Sequence, residues 1–218
     1  MDKQRKKELK KEYLRQELLK QASDDNEIVA NWAKIKLGIP LDILNKQTLE
    51  KLEDDELEEK IYYKICEKLY ETKKLNRSKD ESLIIEELPE HFKLVYYFFY
   101  LEMIIEDGGF EDYYVNTAGL DILDTINTLK ILDYNEAIEL LEKSVGVFLM
   151  LIESGFDLWS GEIDLWNKKS KTIDKAYYLN LAKECDFEQL DKKYNTIKQE
   201  LRQRRIRFIR GNLKKFEL

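Results

Sequence analysis

Proline and glycine are scarce in this 218-residue chain, with 2 Pro and 8 Gly. That is too little punctuation for a turn-rich sheet protein, whereas the abundant Leu, Glu, Lys and Ile suit long helices. Cysteine is nearly absent. Cys66 and Cys185 exclude a disulfide scaffold or a four-cysteine zinc site, and both are expected to be ordinary buried thiols. One histidine, His91, excludes a multi-histidine metal centre within one chain, and as a lone histidine it is expected to be a surface or packing residue. Long apolar runs are missing too. Leu94 to Leu101 and Val145 to Ile152 fall well short of the roughly 20 residues a bilayer span needs. The opening Met1-Asp2-Lys3-Gln4-Arg5-Lys6-Lys7 is basic but has no apolar core of a secretory signal. These absences predict a soluble, cytoplasmic protein with no membrane partner.

Catalytic and cofactor motifs are also lacking. Gly108-Gly109 does not have the G-x-G-x-x-G spacing, and no phosphate-cradling G-x-x-x-x-G-K-[ST] occurs. No calcium-loop spacing accompanies Asp107, Glu111 and Asp112. No cofactor, no metal and no enzymatic activity are expected. A carboxylate-based hydrolase would require Asp107, Glu111 or Glu102 to converge in a deep pocket.

What is present points to an all-α, compact multi-helix domain with a long C-terminal helix and an N-terminal helical extension. Apolar residues make up 43% of the chain and aromatics 11%, enough for a sizeable core. Leu9, Tyr13, Leu14 and Leu18 predict a basic amphipathic helix over 2–22, and residues 1–40 are read as this helix plus a connector, with the main domain at 41–218. Leu49, Leu52, Leu57, Ile61, Ile65 and Leu69 mark a helix from Thr48 to about Lys74, with Asp54 or Asp55 capping its main part. The polar run 76–82 reads as a loop. Pro89 opens an apolar helix, the expected centre of the core, which breaks at Asp107-Gly108-Gly109-Phe110 because paired glycines admit positive φ and can cap a helix end. Further helices are expected over 120–132, over 135–153 with Asp133 or Asn135 as cap, and over 187–216, with turns at Gly155 and Gly161.

Charge is unevenly distributed. The net charge is −7, yet residues 1–20 carry eight Lys or Arg against four acids, and residues 198–218 carry eight against two. Between Leu101 and Asp164 fifteen Asp or Glu face two Lys, Lys130 and Lys143. A solvated acidic face would explain this stretch, and so would a surface built to attract a basic partner. Glu106, Asp107, Glu111, Asp112, Asp121 and Asp124 are the candidate partner-binding residues. The arginines from Arg202 to Arg210 are read as helix-end and intramolecular ion-pair residues, and with an isoelectric point near 5.1 no direct nucleic-acid binding is expected.

The segment Leu88-Pro89, Val95-Tyr96-Tyr97, Leu101-Glu102 and Asp107-Gly108-Gly109-Phe110-Glu111-Asp112-Tyr113-Tyr114-Val115-Asn116-Thr117-Ala118-Gly119 resembles the bacterial DNA-mimic protein family. That family's hallmark is an Asn-Gly-Gly-Phe break after a buried helix, then an aromatic pair and an Asn before a small-residue turn. Gly108, Gly109, Phe110, Tyr113, Tyr114, Asn116 and Gly119 match it and are taken as fold determinants. Asp107 replaces the usual Asn, and Ile104 stands where an acid is common. The resemblance spans about residues 47–213 and is sharp over 88–119. It implies an all-helical acidic protein, possible as a homodimer, that inhibits a basic DNA-binding or nucleic-acid-processing protein by occupying its nucleic-acid surface. An immunity or regulatory protein that recognises one toxin or enzyme by shape is the alternative.

Overall fold

The computed structural model describes residues 3–75, 81–117, 119, 121–155, 166, 171 and 173–217. Among them every regular element is a helix. The chain divides into two compact units, one formed by residues 1–88 with 213–218 and the other by residues 89–212.

The first unit holds α1 (Lys3–Gln21), α2 (Glu27–Leu37), α3 (Lys46–Lys51), α4 (Asp54–Leu75), α5 (Glu81–Glu86) and a 3-10 turn at Leu213–Phe216. Local chemistry sets several boundaries. The Asn26 side chain accepts the Ile28 and Val29 N–H groups at 3.0 and 3.3 Å, starting α2, and Gly38 ends it at φ 72°. A reciprocal Asn45–Thr48 capping box starts α3. The Leu44, Leu49, Leu57, Ile61, Tyr63, Ile65 and Leu69 side chains form its buried core. Lys64 and Glu67, paired at 2.5 Å, grip both polar groups of Leu41: its N–H donates to Glu67 at 2.6 Å and its carbonyl accepts from Lys64 at 3.1 Å. The Pro40 connector is therefore hydrogen-bonded to α4 although it has no regular structure.

The second unit holds α6 (Glu90–Thr117), α7 (Ile122–Leu129) with a 3-10 turn (Lys130–Leu132), α8 (Asn135–Glu153), α9 (Lys175–Leu181) and α10 (Phe187–Gly211). In it, α8 packs against α7, α9 and α10, while α6 packs against α7 and α10. Gly146 lets α9 approach α8, since a Cβ there would stand 2.2 Å from the Tyr178 carbonyl oxygen. An aromatic stack fills the centre: Tyr114 lies between Phe148 at 4.4 Å and Phe187 at 5.4 Å, nearly parallel to both. Its buried hydroxyl is satisfied by Ser144 at 2.9 Å, whose own hydroxyl donates to the Leu141 carbonyl.

Several expectations change. The helix over 2–22 forms, but its apolar residues do not share a stripe, and Tyr13 and Leu14 are 68% and 59% exposed. The expected helix from Thr48 is two helices, because Leu52 is extended. Glu81 and Ser82 are helical, not part of a loop, while 76–80 lie outside the described residues, as does Gly161. Neither Asp133 nor Asn135 caps α8. Tyr134 holds that position without a side-chain bond, and Asp133, at φ 48°, ends the preceding 3-10 turn. The 187–216 helix stops at Gly211, beyond which Asn212 leaves helical geometry. α9 had no forecast. Cys66 is buried as expected, but Cys185 is only half-buried. Among the described residues no helix is long and apolar enough to cross a membrane.

Candidate partner-binding site

The expected break at Gly108-Gly109 is a kink within one long helix. Gly108 stays helical, whereas Gly109 has φ 77° and ψ −172°, a region essentially reserved for glycine. Helical geometry resumes at once, so Phe110, Tyr113 and Tyr114 are buried on the second limb of α6. The glycines do not cap the junction alone. Asp191 reaches it from α10 and accepts the Phe110 N–H at 2.9 Å, acting as a side-chain cap for the second limb. Its carboxylate occupies the space where a Gly109 side chain would grow, 2.5 Å from an ideal Cβ. Burial holds the Asp191 carboxyl above the usual aspartate range; the Phe110 N–H opposes that shift and nearby Glu111 adds to it.

Four of the six candidate acids flank this kink. Glu106 and Asp107 end the first limb, Glu111 and Asp112 begin the second, and all four are exposed. Asp121 and Asp124 lie at the start of α7 and are half-buried. Asp121 adjoins the buried Tyr113 hydroxyl, whose ionisation is pushed far up by burial and, secondarily, by Asp121. Gly119 builds the turn into α7: φ is 65°, its N–H donates to the Thr117 hydroxyl at 3.1 Å, and the Tyr114 ring lies 2.7 Å from an ideal Cβ. Asn116 is exposed on the second limb.

Four other carboxylates of the acidic stretch are held from within. Glu102 pairs with fully buried Arg205 and accepts the Tyr194 hydroxyl at 2.9 Å, while the Arg205 guanidinium lies 4.4 Å from the Phe98 ring centroid. Burial, then the Glu102 charge, push the Tyr194 phenol far above its ordinary range. Glu136 pairs with Lys193, which draws its carboxyl below the usual range. Glu139 meets Lys143 at 2.7 Å, and Glu142 accepts the Tyr177 hydroxyl at 2.8 Å. Arg204 stacks on Tyr134 and donates to the Asp133 carbonyl at 3.2 Å, pinning the turn before α8. Among the described residues, Glu106 has only a long 3.9 Å contact with Lys198, and no cation pairs with Asp107, Glu111 or Asp112.

A model of the DMP19-like protein family matches residues 86–212. The chain belongs to that family. Its matched segment is essentially the second unit, with the kink, the aromatic stack and α10 all inside it. This DNA-mimic family is also the one the glycine–aromatic motif resembles. No curated protein and no solved structure matches the chain significantly. Within the DMP19-like unit, Glu102 is committed to Arg205 and Tyr194, while Asp107 and Glu111 face solvent. These three carboxylates are therefore not gathered as hydrolytic chemistry would require. Among the described residues, no group of three or more His, Cys, Asp or Glu side chains is placed to hold a metal ion.

Asp191 was missed because its partner is 81 residues away. One signal existed: Asp191 falls in register with Phe187, Leu190 and Tyr194 on the buried stripe of α10. Arg205, four residues after Leu201 on the same stripe, carries the same signal.

Proposed function

We propose that this protein acts by binding, and that the acidic kink of α6 engages the basic nucleic-acid-binding surface of a DNA-binding or nucleic-acid-processing protein and inhibits it. The observation that carries this reading is local: Glu102, Glu136 and Glu139 are each paired with a lysine or arginine, while Asp107, Glu111 and Asp112, exposed and gathered at one kink, have no cation among the described residues. Carboxylates already neutralised by a lysine or arginine have little attraction left for a partner. Unpaired exposed ones retain theirs and steer association over about a Debye length, roughly 8 Å at physiological salt. Asp121 and Asp124 extend the proposed contact only where the partner reaches the start of α7.

The test is capture of partners from the native cell by the full chain at low and high salt, followed by competition of each captured complex with duplex DNA. Binding is expected to weaken steeply with salt, to compete with DNA, and to weaken further in the Asp107→Asn/Glu111→Gln/Asp112→Asn variant. A partner retained equally at high salt and indifferent to DNA would replace this reading with recognition of one specific protein by shape.

A further inference from the structure

Lys192, Lys193, Arg204, Arg205 and Arg207 of α10 pair with acids of their own unit, and the cations at the start of α1 stand differently. Lys3, Lys6, Lys7, Lys10 and Lys11 recur at intervals of i, i+3, i+4, i+7 and i+8. At 3.6 residues per turn they fall within roughly 140° of the helix circumference. Glu8 and Glu12 fall on the opposite side, where Glu12 accepts a hydrogen bond from Gln16 at 2.9 Å. Lys7, Lys10 and Lys11 are exposed and have no ion-pair partner among the described residues; the first salt bridge of the helix is Lys20 with Glu17. Like charges at i+3 and i+4 weaken a helix, so this face lacks the counter-charge that would stabilise it.

We propose that this face of α1 docks on the phosphate backbone of duplex nucleic acid, without reading base sequence. A regular row of lysines matches a regular row of phosphates, and each lysine that neutralises a phosphate releases a counterion. The chain is exposed from Lys10 to Gln16, and among the described side chains of α1 the first half-buried one is Glu17. A lipid surface fits less well. Tyr13, Leu14 and Leu19 are exposed but point around the helix, and membrane-lying helices concentrate such residues on one face. This assignment departs from the expectation of no direct nucleic-acid contact. It does not rest on the proposed function of the second unit.

The experiment uses the full chain and a fluorescent random-sequence 20-base-pair DNA duplex, with anisotropy titrations between 50 and 200 mM salt. Five lysine–phosphate contacts give a slope of about −4.5 in log K against log salt, which is a loss of roughly 500-fold over that range. Lys7→Gln/Lys10→Gln/Lys11→Gln should reduce the slope to about −1.8 and the loss to about 12-fold. Gln keeps nearly the helix propensity of Lys, and far-ultraviolet circular dichroism verifies the fold. The corresponding Arg triple variant should retain the wild-type slope. Asp107→Asn/Glu111→Gln/Asp112→Asn should also keep it, which separates this result from the partner test. No binding at 50 mM, an unchanged slope in the Gln variant, or binding to phosphatidylserine vesicles without binding to DNA would each overturn the proposal.

Discussion

Replacing Asp191 separates its two effects on the α6 kink. Asp191→Ala removes the acceptor of the Phe110 N–H, a bond of 2.9 Å at the start of the second limb. Loss of a helix cap costs about 1 kcal/mol, with a range of roughly 0.5–2. For a domain of this size that lowers the melting temperature by roughly 3–5 °C. Asp191→Asn keeps an oxygen that can accept the same N–H but removes the charge that burial opposes. At neutral pH it should be as stable as the wild type or slightly more so.

The pH dependence follows from the raised carboxyl of Asp191. Between its unfolded value near 3.9 and its higher folded value, the folded chain binds more protons than the unfolded chain. This group's contribution is thus full below the unfolded value and is lost as pH rises through the folded one. Urea unfolding of wild type and both variants, at intervals from about pH 4 to 7, measures the difference. The stability of wild type relative to Asp191→Asn should rise as pH falls. If Asp191→Asn loses as much as Asp191→Ala at pH 7, or if the difference is flat with pH, the cap-versus-burial reasoning is wrong.

Gly109→Ala should destabilise the second unit by about 1–3 kcal/mol, because alanine cannot relax at φ 77° and ψ −172° and its Cβ meets the Asp191 carboxylate; chemical denaturation reads this, and a variant as stable as wild type would refute the geometry of the kink. Arg205→Ala, which leaves Glu102 without the buried guanidinium, should cost about 3–5 kcal/mol, whereas Arg205→Met with Glu102→Leu should recover most of it. Equal recovery in Arg205→Met alone, with Glu102 left unpaired, would assign the loss to the volume of Arg205, not to its charge.

Much of the second unit is legible from local pattern. Pro89, the apolar run after it and Gly108-Gly109 place the start and the break of α6, because glycine alone tolerates the Gly109 backbone, but not its continuation to Thr117. The aromatic pair Tyr113 and Tyr114 could be assigned to the core from chemistry, but not the sandwich of Tyr114 between Phe148 and Phe187, whose members lie far apart in sequence. The N-terminal helix was legible as a helix, not as an amphipathic one: Leu9 and Tyr13 are four residues apart, but Leu14 and Leu18 fall on the other side of the cylinder. Caps formed by neighbouring residues, as at Asn26 and Asn45, can be read locally, whereas the absence of one at α8 depends on Asp133 turning left-handed.

The acidic stretch divides along the same line. Fifteen acids against two lysines between Leu101 and Asp164 are a property of composition, fixed before folding. Which of those charges remain available is a property of the fold. Tertiary structure brings Arg205 to Glu102, Lys193 to Glu136 and Asp191 to the Phe110 N–H, each across more than fifty residues. Electrostatics and hydrogen bonds act over ångströms in space, so sequence by itself determined the helical class, the break at Gly108-Gly109 and the charge balance, and only packing decided which carboxylates were neutralised and which were left facing water.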